Sequence, residues 1–288
     1  MKENPKYKVK AETTLLQFLL ETINNKSRNH VKGLLRRGQI LVDGAASTDY
    51  ALALRSGQVV EVLLGAPSDV NKMSLPVIYE DDDIIVIDKP AGMLTISTDK
   101  ERENTAYHIA FDYMKSKANP GRVFIVHRLD RETSGVLLLA KREQIKLKLQ
   151  ENWLETVIRR EYIAVVEGNV QPPQKQITSW LKQTKTLLVY SSDKKDDGQL
   201  AITNYQTLKT AEKYTLLDIS LETGRKNQIR VHMKDIGHPV AGDKKYGAQT
   251  NPFKRLGLHA SELVILHPAT GGKMQFVSPV PEVFSKVL

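Results

Sequence analysis

The chain has 288 residues, 41% of them hydrophobic, and no cysteine; it can bury one large core and a small one, and disulfides, thiolate nucleophiles and cysteine-based zinc sites are excluded. A formal charge of +9 points to a polyanionic partner, nucleic acid being the commonest. No apolar run approaches the ~20 residues of a membrane helix, and Met1-Lys2-Glu3-Asn4-Pro5-Lys6 leads into no signal-type segment, so a cytoplasmic protein without membrane association is expected.

Residues 1–64 read as a separate module. Thr13 and Thr14 offer a helix cap ahead of Leu15, Leu16, Phe18, Leu19 and Ile23 on one apolar face, with Asn24 and Asn25 ending the helix. Ser27 can cap a second helix running to Arg37, with Val31, Leu34 and Leu35 inward and Gly38 closing it. Arg28, Lys32 and Arg36 recur every four residues and form one basic stripe. Gln39–Gly44 and Val59–Val62 read as strands with turns. The module carries ten Lys or Arg against six Asp or Glu. Residues 65–74, polar and containing Gly, Pro and Ser without periodicity, read as a linker.

Residues 75–288 carry many short strand patterns separated by short gaps, with a few helical stretches. This predicts an α+β domain: a large, mostly antiparallel mixed sheet flanked by helices. The strand Ile84–Asp88 ends at the turn Lys89-Pro90-Ala91-Gly92. Helical spacing runs over about 105–116 and again over Gln144–Glu155, where Ile145, Leu149, Trp153 and Leu154 should face the core. Between them, two apolar strand patterns, Val123–Val126 and Val136–Ala140, flank the charged loop His127-Arg128-Leu129-Asp130-Arg131-Glu132, with Thr133-Ser134-Gly135 read as turn. A polar loop on rigid strands is a common place for a catalytic group, although spacing alone does not separate this reading from an ion-paired surface turn. In the strand Arg159–Gly168, Tyr162, Ala164 and Val166 share one face and Ile163 and Val165 the other. Residues 222–232 turn into a helix ending at Gly237-His238-Pro239, with a loop over 240–247.

No Walker loop, dinucleotide glycine fingerprint or Gly-x-Ser-x-Gly is present. The seven histidines fall at no metal spacing, so no metal site is expected. Three separated groups remain: Asp130, Tyr162 and the pair Arg225 and Arg230. Taken singly, Tyr162 reads equally as a strand tyrosine and the arginines as surface residues.

Together the motifs say more. His127-Arg128-Leu129-Asp130 with Thr133-Ser134-Gly135, the Lys89–Gly92 turn, the strand at Tyr162, Gly224-Arg225 with Gln228-Ile229-Arg230-Val231-His232, Gly237–Asp243 and Leu258-His259-Ala260 resemble, in order, the RluA/RluD family of pseudouridine synthases. Residues 27–44 resemble the RNA-binding module first known from ribosomal protein S-four. Two departures from the family pattern are Arg160, where lysine is common, and Lys226-Asn227, where Thr-His or Ser-His is frequent. The resemblance implies isomerisation of uridine to pseudouridine in structured RNA, without a cofactor. It implies Asp130 as nucleophile and Arg230 as its cationic partner, which would favour the ionised carboxylate. Tyr162 would pack on the target uracil and accept the proton from C5. Arg128 would fill the gap left by the flipped base. His127, Lys89, Arg225 and Gln228 are expected on the RNA-binding side, as are Arg28, Lys32 and Arg36 in the first module. The combination of modules implies large-subunit ribosomal RNA as substrate, and nothing in the chain suggests more than a monomer. Transfer RNA modification, a non-catalytic ribosome-assembly protein and an aspartate-based hydrolase are the rival readings.

Overall fold

The computed structural model describes residues 4–23, 27–36, 38–64, 75–98, 101, 104–117 and 121–287, without the side chains of Asn29 and Arg36. The expected linker at 65–74 lies outside the described residues, as do Asn24, Asn25, Arg37 and the side chain of Arg36. Spatial grouping gives two units, Met1–Met73 with Asp112–Pro120, and Ser74–Phe111 with Gly121–Leu288. The segment 112–120 thus groups with the first unit, where chain order alone had set it with the second.

The first unit contains β1 (Lys6–Lys8), β2 (Thr13–Thr14), α1 (Leu15–Thr22), α2 (Arg28–Arg36), β3 (Ile40–Val42), β4 (Ala45–Ala46), β5 (Ala53–Leu54) and β6 (Val59–Val62). Leu15, Leu16 and Leu19 of α1 meet Val31, Leu34 and Leu35 of α2 in one buried cluster with Ile40 and Val60. The 3.6-residue repeat of these leucines is what forms the two helices, since each buries one apolar stripe. Ser27 caps α2: its Oγ accepts the amide N–H of His30 at 3.2 Å. Thr14 precedes α1 in extended conformation, with no side-chain cap bond. Gly38, at φ 62°, closes α2. Asp43 and Gly44, both at positive φ, turn β3 into β4 as an Asp-Gly pair does in a tight hairpin.

The second unit is built on β7 (Val77–Glu80), β8 (Ile84–Lys89), α3 (Ala106–Ser116, whose last turns group with the first unit), β9 (Phe124–Ile125), β10 (Ser134–Ala140), α4 (Glu143–Glu151), α5 (Trp153–Thr156), β11 (Val157–Glu167), β12 (Gln174–Gln183), β13 (Val189–Ser192), β14 (Gln199–Thr210), β15 (Tyr214–Leu221), α6 (Gln228–Asp235), β16 (Leu258–Leu266) and β17 (Lys273–Val277). Its sheet runs β13-β12-β14-β15-β11-β16-β10-β8-β7, with β17 beside β16 and β9 beside β10. The pairing is antiparallel except between β10 and β16, where Ser134 faces His259 and Gly135 faces Ala260. The sheet is therefore mixed and mostly antiparallel, and the domain is α+β. Ala164, Val166, Leu217 and Ile219 pack under Ile229 and Met233 of α6, while Val86, Val136 and Leu138 pack against Ile145 and Leu149 of α4. Among the described residues no helix is long and apolar enough to cross a membrane.

Three local expectations change. Ser134 and Gly135 belong to β10 rather than to a turn. Gly135 sits at φ 113°, and a Cβ there would lie 2.0 Å from the carbonyl oxygen of Ala260, so the parallel junction requires glycine. The approach strand shrinks to β9, because the His127 side chain, not backbone, meets the next amide of β10: Nε2 accepts the Leu138 N–H at 3.0 Å. The single helix expected over 144–155 breaks at Asn152, whose side chain bonds the Lys148 carbonyl at 3.2 Å and competes with the helical ladder. Ile145 and Leu149 are buried as expected, but the break sends Leu154 to solvent, 79% exposed.

Candidate active site

The loop 127–133 is bound to the turn that follows β8. Thr95 Oγ1 donates to the Leu129 carbonyl at 2.9 Å and accepts the Leu129 amide at 3.2 Å. The Arg131 carbonyl accepts the Gly92 amide at 2.9 Å and Lys89 Nζ at 3.2 Å. Lys89 Nζ also donates to the carbonyls of Pro90 at 3.0 Å and Met93 at 2.8 Å. Lys89 is wholly buried, and that burial lowers its pKa to about 8 against the pull of Glu132 and Asp130. This corrects one expectation: Lys89 is an internal brace for the loop, with no ammonium at the surface. His127 is corrected in the same sense. Its ring lies against Trp153, its Nε2 is occupied by the Leu138 amide, and burial, then Arg160, lowers its pKa to about 4, so it is a neutral acceptor inside the loop.

With its backbone held in this way, the loop presents Asp130 to a cleft lined by Arg128, Asp130, Tyr162, Arg225, Gln228 and Arg230, among others. Tyr162 comes from β11, and Arg230 from the first turn of α6. Arg230 Nη1 approaches Asp130 Oδ2 at 3.3 Å. Its Nε and Nη2 grip both oxygens of Asp243, at 2.6 and 2.8 Å. Burial works against the guanidinium's charge, but Asp243 and then Asp130 outweigh it and raise its pKa. Burial raises the Tyr162 pKa, with Arg160 opposing and Asp130 reinforcing, so its hydroxyl stays protonated.

Arg128 and Arg225 are exposed cations at this cleft. Arg225 is partly tied, Nε donating to the Leu200 carbonyl at 2.9 Å. Gln228 is a further correction: it is buried and all its hydrogen bonds are internal. Its Oε1 accepts Thr223 Oγ1 at 2.8 Å and the Arg225 amide at 2.9 Å, while Nε2 donates to the Ile202 carbonyl at 3.0 Å and Thr203 Oγ1 at 2.9 Å. Gln228 shapes the entry into α6. Arg160 supports the same connection from below, Nη2 donating to the carbonyls of Leu221 at 3.0 Å and Glu222 at 2.8 Å. In the first unit Arg28 is exposed, and Lys32 is half-buried with Nζ 5.5 Å from the Tyr50 ring centre.

Several supporting residues were not singled out by sequence reasoning. Asp243 belongs to a quoted motif, but nothing in the sequence pairs it with Arg230. Asn227 adopts the left-handed conformation at φ 55° and turns the chain into α6. Arg255 Nη2 donates to Ser134 Oγ at 2.7 Å, and Ser134 Oγ meets His259 Nδ1 at 2.8 Å, a buried chain that fixes the β10–β16 junction beneath the loop. Ser134 is buried and held by a guanidinium, so this Ser–His contact is a brace and not a nucleophile with its base. Asp81, Asp83 and His267 converge elsewhere, their donor atoms within 4.8 Å of one another. His267 Nδ1 accepts the Thr270 amide at 3.2 Å, its Nε2 lies 3.0 Å from Asp81, and Arg142 pairs with Asp83.

Residues 83–235 match the family model described as RNA pseudouridylate synthase. An uncharacterized RNA pseudouridine synthase of Bacillus subtilis is 33% identical over 94% of this chain and 92% of that protein. The ribosomal large subunit pseudouridine synthase D of Xanthomonas campestris is 32% identical over 94% of this chain and 86% of its own length. Among solved structures, human RNA Pseudouridylate Synthase Domain Containing 4 superposes with a TM-score of 0.59 over 73% of this chain and 90% of that one, at 22% identity, which supports the shared fold.

Proposed function

The chain belongs to the RNA pseudouridylate synthase family and is an RNA pseudouridine synthase, and from that premise we propose that Asp130 is its nucleophile and large-subunit ribosomal RNA its substrate. The observation that carries the first part is the placement of the Asp130 carboxylate in a cleft between Tyr162 and a guanidinium 3.3 Å away. The reaction breaks the bond from ribose C1′ to N1 of uracil and forms one from C1′ to C5, while the C5 hydrogen leaves as a proton to solvent and N1 takes one up, so atoms and charge balance. It is an isomerisation that needs neither a redox partner nor a group donor. A carboxylate oxygen of Asp130 supplies the attacking electron pair. At C1′, the new C–O bond forms as the C1′–N1 pair leaves on the base. At C6, the C5=C6 pair moves toward the C4 carbonyl oxygen. Both routes use the same carboxylate.

Tyr162 is assigned to packing on the base. Removal of the C5 proton would require a phenolate, and the raised pKa of this partly buried hydroxyl opposes that. Arg128, exposed at the mouth of the cleft, is assigned to the gap that a flipped uridine leaves. Residues 1–64 are assigned to RNA docking in the manner of the S-four module, with Arg28 and Lys32 as phosphate contacts. The substrate assignment follows the names of the large-subunit relatives and the presence of this module. The working unit is taken as a monomer acting where ribosomes assemble, in the cytoplasm.

Undermodified ribosomal and transfer RNA are treated with wild type and with Asp130→Asn. Pseudouridine is then mapped by chemical derivatisation and reverse-transcription stops. New stops in large-subunit RNA with wild type alone support the assignment. Stops in transfer RNA only would move the substrate, and stops retained by Asp130→Asn would remove Asp130 as nucleophile.

A further inference from the structure

We propose that Asp243 is a positioning residue for the reaction, holding the Arg230 guanidinium at the Asp130 carboxylate independently of Asp130 itself. The proposal rests on Asp130 as nucleophile. Two carboxylates share this one cation, and their contacts differ. Asp243 takes the Nε–Nη2 edge at 2.6 and 2.8 Å, with a side chain only 1% exposed. A paired contact of this kind away from water is both strong and directional. Asp130 receives a single Nη1 contact at 3.3 Å and its side chain is 21% exposed. The outer carboxylate is therefore touched by the guanidinium, and the inner one aims it.

The surroundings of Asp243 agree with that role. The Tyr246 ring lies 4.9 Å from the Arg230 guanidinium carbon, and Asn227 Oδ1 accepts Nη1 at 3.3 Å. Asn227 Nδ2 in turn donates to Tyr246 Oη at 2.9 Å, closing a ring of contacts around Arg230. The loop bearing Asp243 is fixed as well. Its amide donates to the Val240 carbonyl at 3.0 Å and its carbonyl accepts the amides of Tyr246 at 3.0 Å and Ala248 at 3.1 Å. Gly242, at φ +84°, lies so close to Arg255 that a Cβ would come within 2.3 Å of that residue's carbonyl oxygen.

This arrangement matters once the nucleophile reacts. When an Asp130 oxygen bonds to the substrate carbon, the carboxylate charge is gone. An arginine held by Asp130 alone would become an unpaired, partly buried cation and lose its orientation. Held by Asp243, it remains neutralised, and Nη1 still points at the same place in the cleft, ready to donate to an oxygen of the substrate as charge develops there.

The test is a double-mutant cycle in the full chain, with Arg230→Ala, Asp243→Ala and the double variant assayed on ribosomal RNA. Asp243→Ala is expected to lower kcat by at least about tenfold with KM within about threefold of wild type, and Asp243→Glu to recover part of the loss. The double variant is expected to be no slower than Arg230→Ala by more than about threefold, because the aspartate acts through the arginine. Losses that multiply in the double variant, or full kcat in Asp243→Ala, would overturn the proposal. If Asp243→Ala fails to fold, Asp243→Asn, of the same shape, carries the same cycle. Asp130→Asn is assayed in parallel: retained activity there would remove the nucleophile assignment, whereas a dead Asp130→Asn with a multiplicative cycle would remove only the role of Asp243.

Discussion

The cleft around Asp130 and the basic face of α2 are both rich in charge, but they are built in opposite ways. In the cleft the cation is surrounded: Arg230 touches two carboxylates, an amide oxygen and an aromatic face. On α2, Arg28 is exposed and Lys32 rests beside Tyr50. The difference fits what each region is proposed to do. A bond-forming carboxylate needs its neighbours fixed to fractions of an ångström, which takes buried, saturated partners. A face that meets phosphates needs charge that can adjust, and solvation keeps it adjustable. Two basic residues of the loop's surroundings, one bonded to the Arg131 carbonyl and one in the loop itself, divide along the same line. Lys89 is an interior brace, and Arg128 remains at the surface.

Four experiments can break or sharpen this contrast. The largest effect is expected from Arg230→Ala, which should lower kcat by about 10² to 10³-fold with little change in RNA affinity; a loss of affinity with kcat retained would place Arg230 with the binding residues. Next, Lys89→Met takes a donor from the carbonyls of Pro90, Met93 and Arg131, of which the last keeps the Gly92 amide, and should lower folding stability by about 2–3 kcal/mol in urea unfolding. The salt dependence of RNA binding should stay that of wild type in the same variant, because the ammonium is not at the surface; a shallower slope would restore Lys89 as a phosphate contact.

The third concerns pH. His127 and His232 both have folded pKa values lowered to about 4 from 6.5, by burial first, and His232 is wholly buried between Ser179 and Thr203. The unfolded chain therefore binds more protons between these limits. Their contribution to stability is complete above 6.5 and is lost as pH falls toward 4, by up to about 1.4 kcal/mol per pH unit for each ring. Urea midpoints across that range should fall accordingly, and a flat profile would contradict the assignment of both rings as neutral. The smallest effect is on α2. Arg28→Ala and Lys32→Ala should each reduce the salt slope of RNA binding by about 1 and leave kcat unchanged.

How far the sequence led can be judged from particular residues. Alternation in β11 set Tyr162 on the face of Ala164 and Val166, and the structure keeps it there, because a period of two is imposed by the backbone. Short gaps between strand patterns predicted the largely antiparallel sheet. The leucine and valine stripes of α1 and α2 predicted their packing. Less visible was anything set by contacts distant in the chain. The pairing of Arg230 with Asp243 spans 13 residues and depends on a loop fold that no periodicity encodes. Lys89 looked like a surface cation because charge is ordinarily exposed; its burial depends on three carbonyls converging from two turns. Gln228 likewise looked available until Thr203 and Thr223 were seen to use its side chain. The break at Asn152 is local but weakly signalled, since asparagine is tolerated in helices and only its bond to the Lys148 carbonyl marks the end.

The central claim, that Asp130 carries the covalent step in a cleft whose geometry the rest of the chain maintains, is tested most directly by paired measurements on Asp130→Asn: pseudouridine formed in undermodified ribosomal RNA, and affinity for that RNA. The account predicts no pseudouridine with affinity like that of wild type, because the substitution keeps the shape and removes the nucleophile. Pseudouridine formed by the Asn variant at a rate near that of wild type would contradict it.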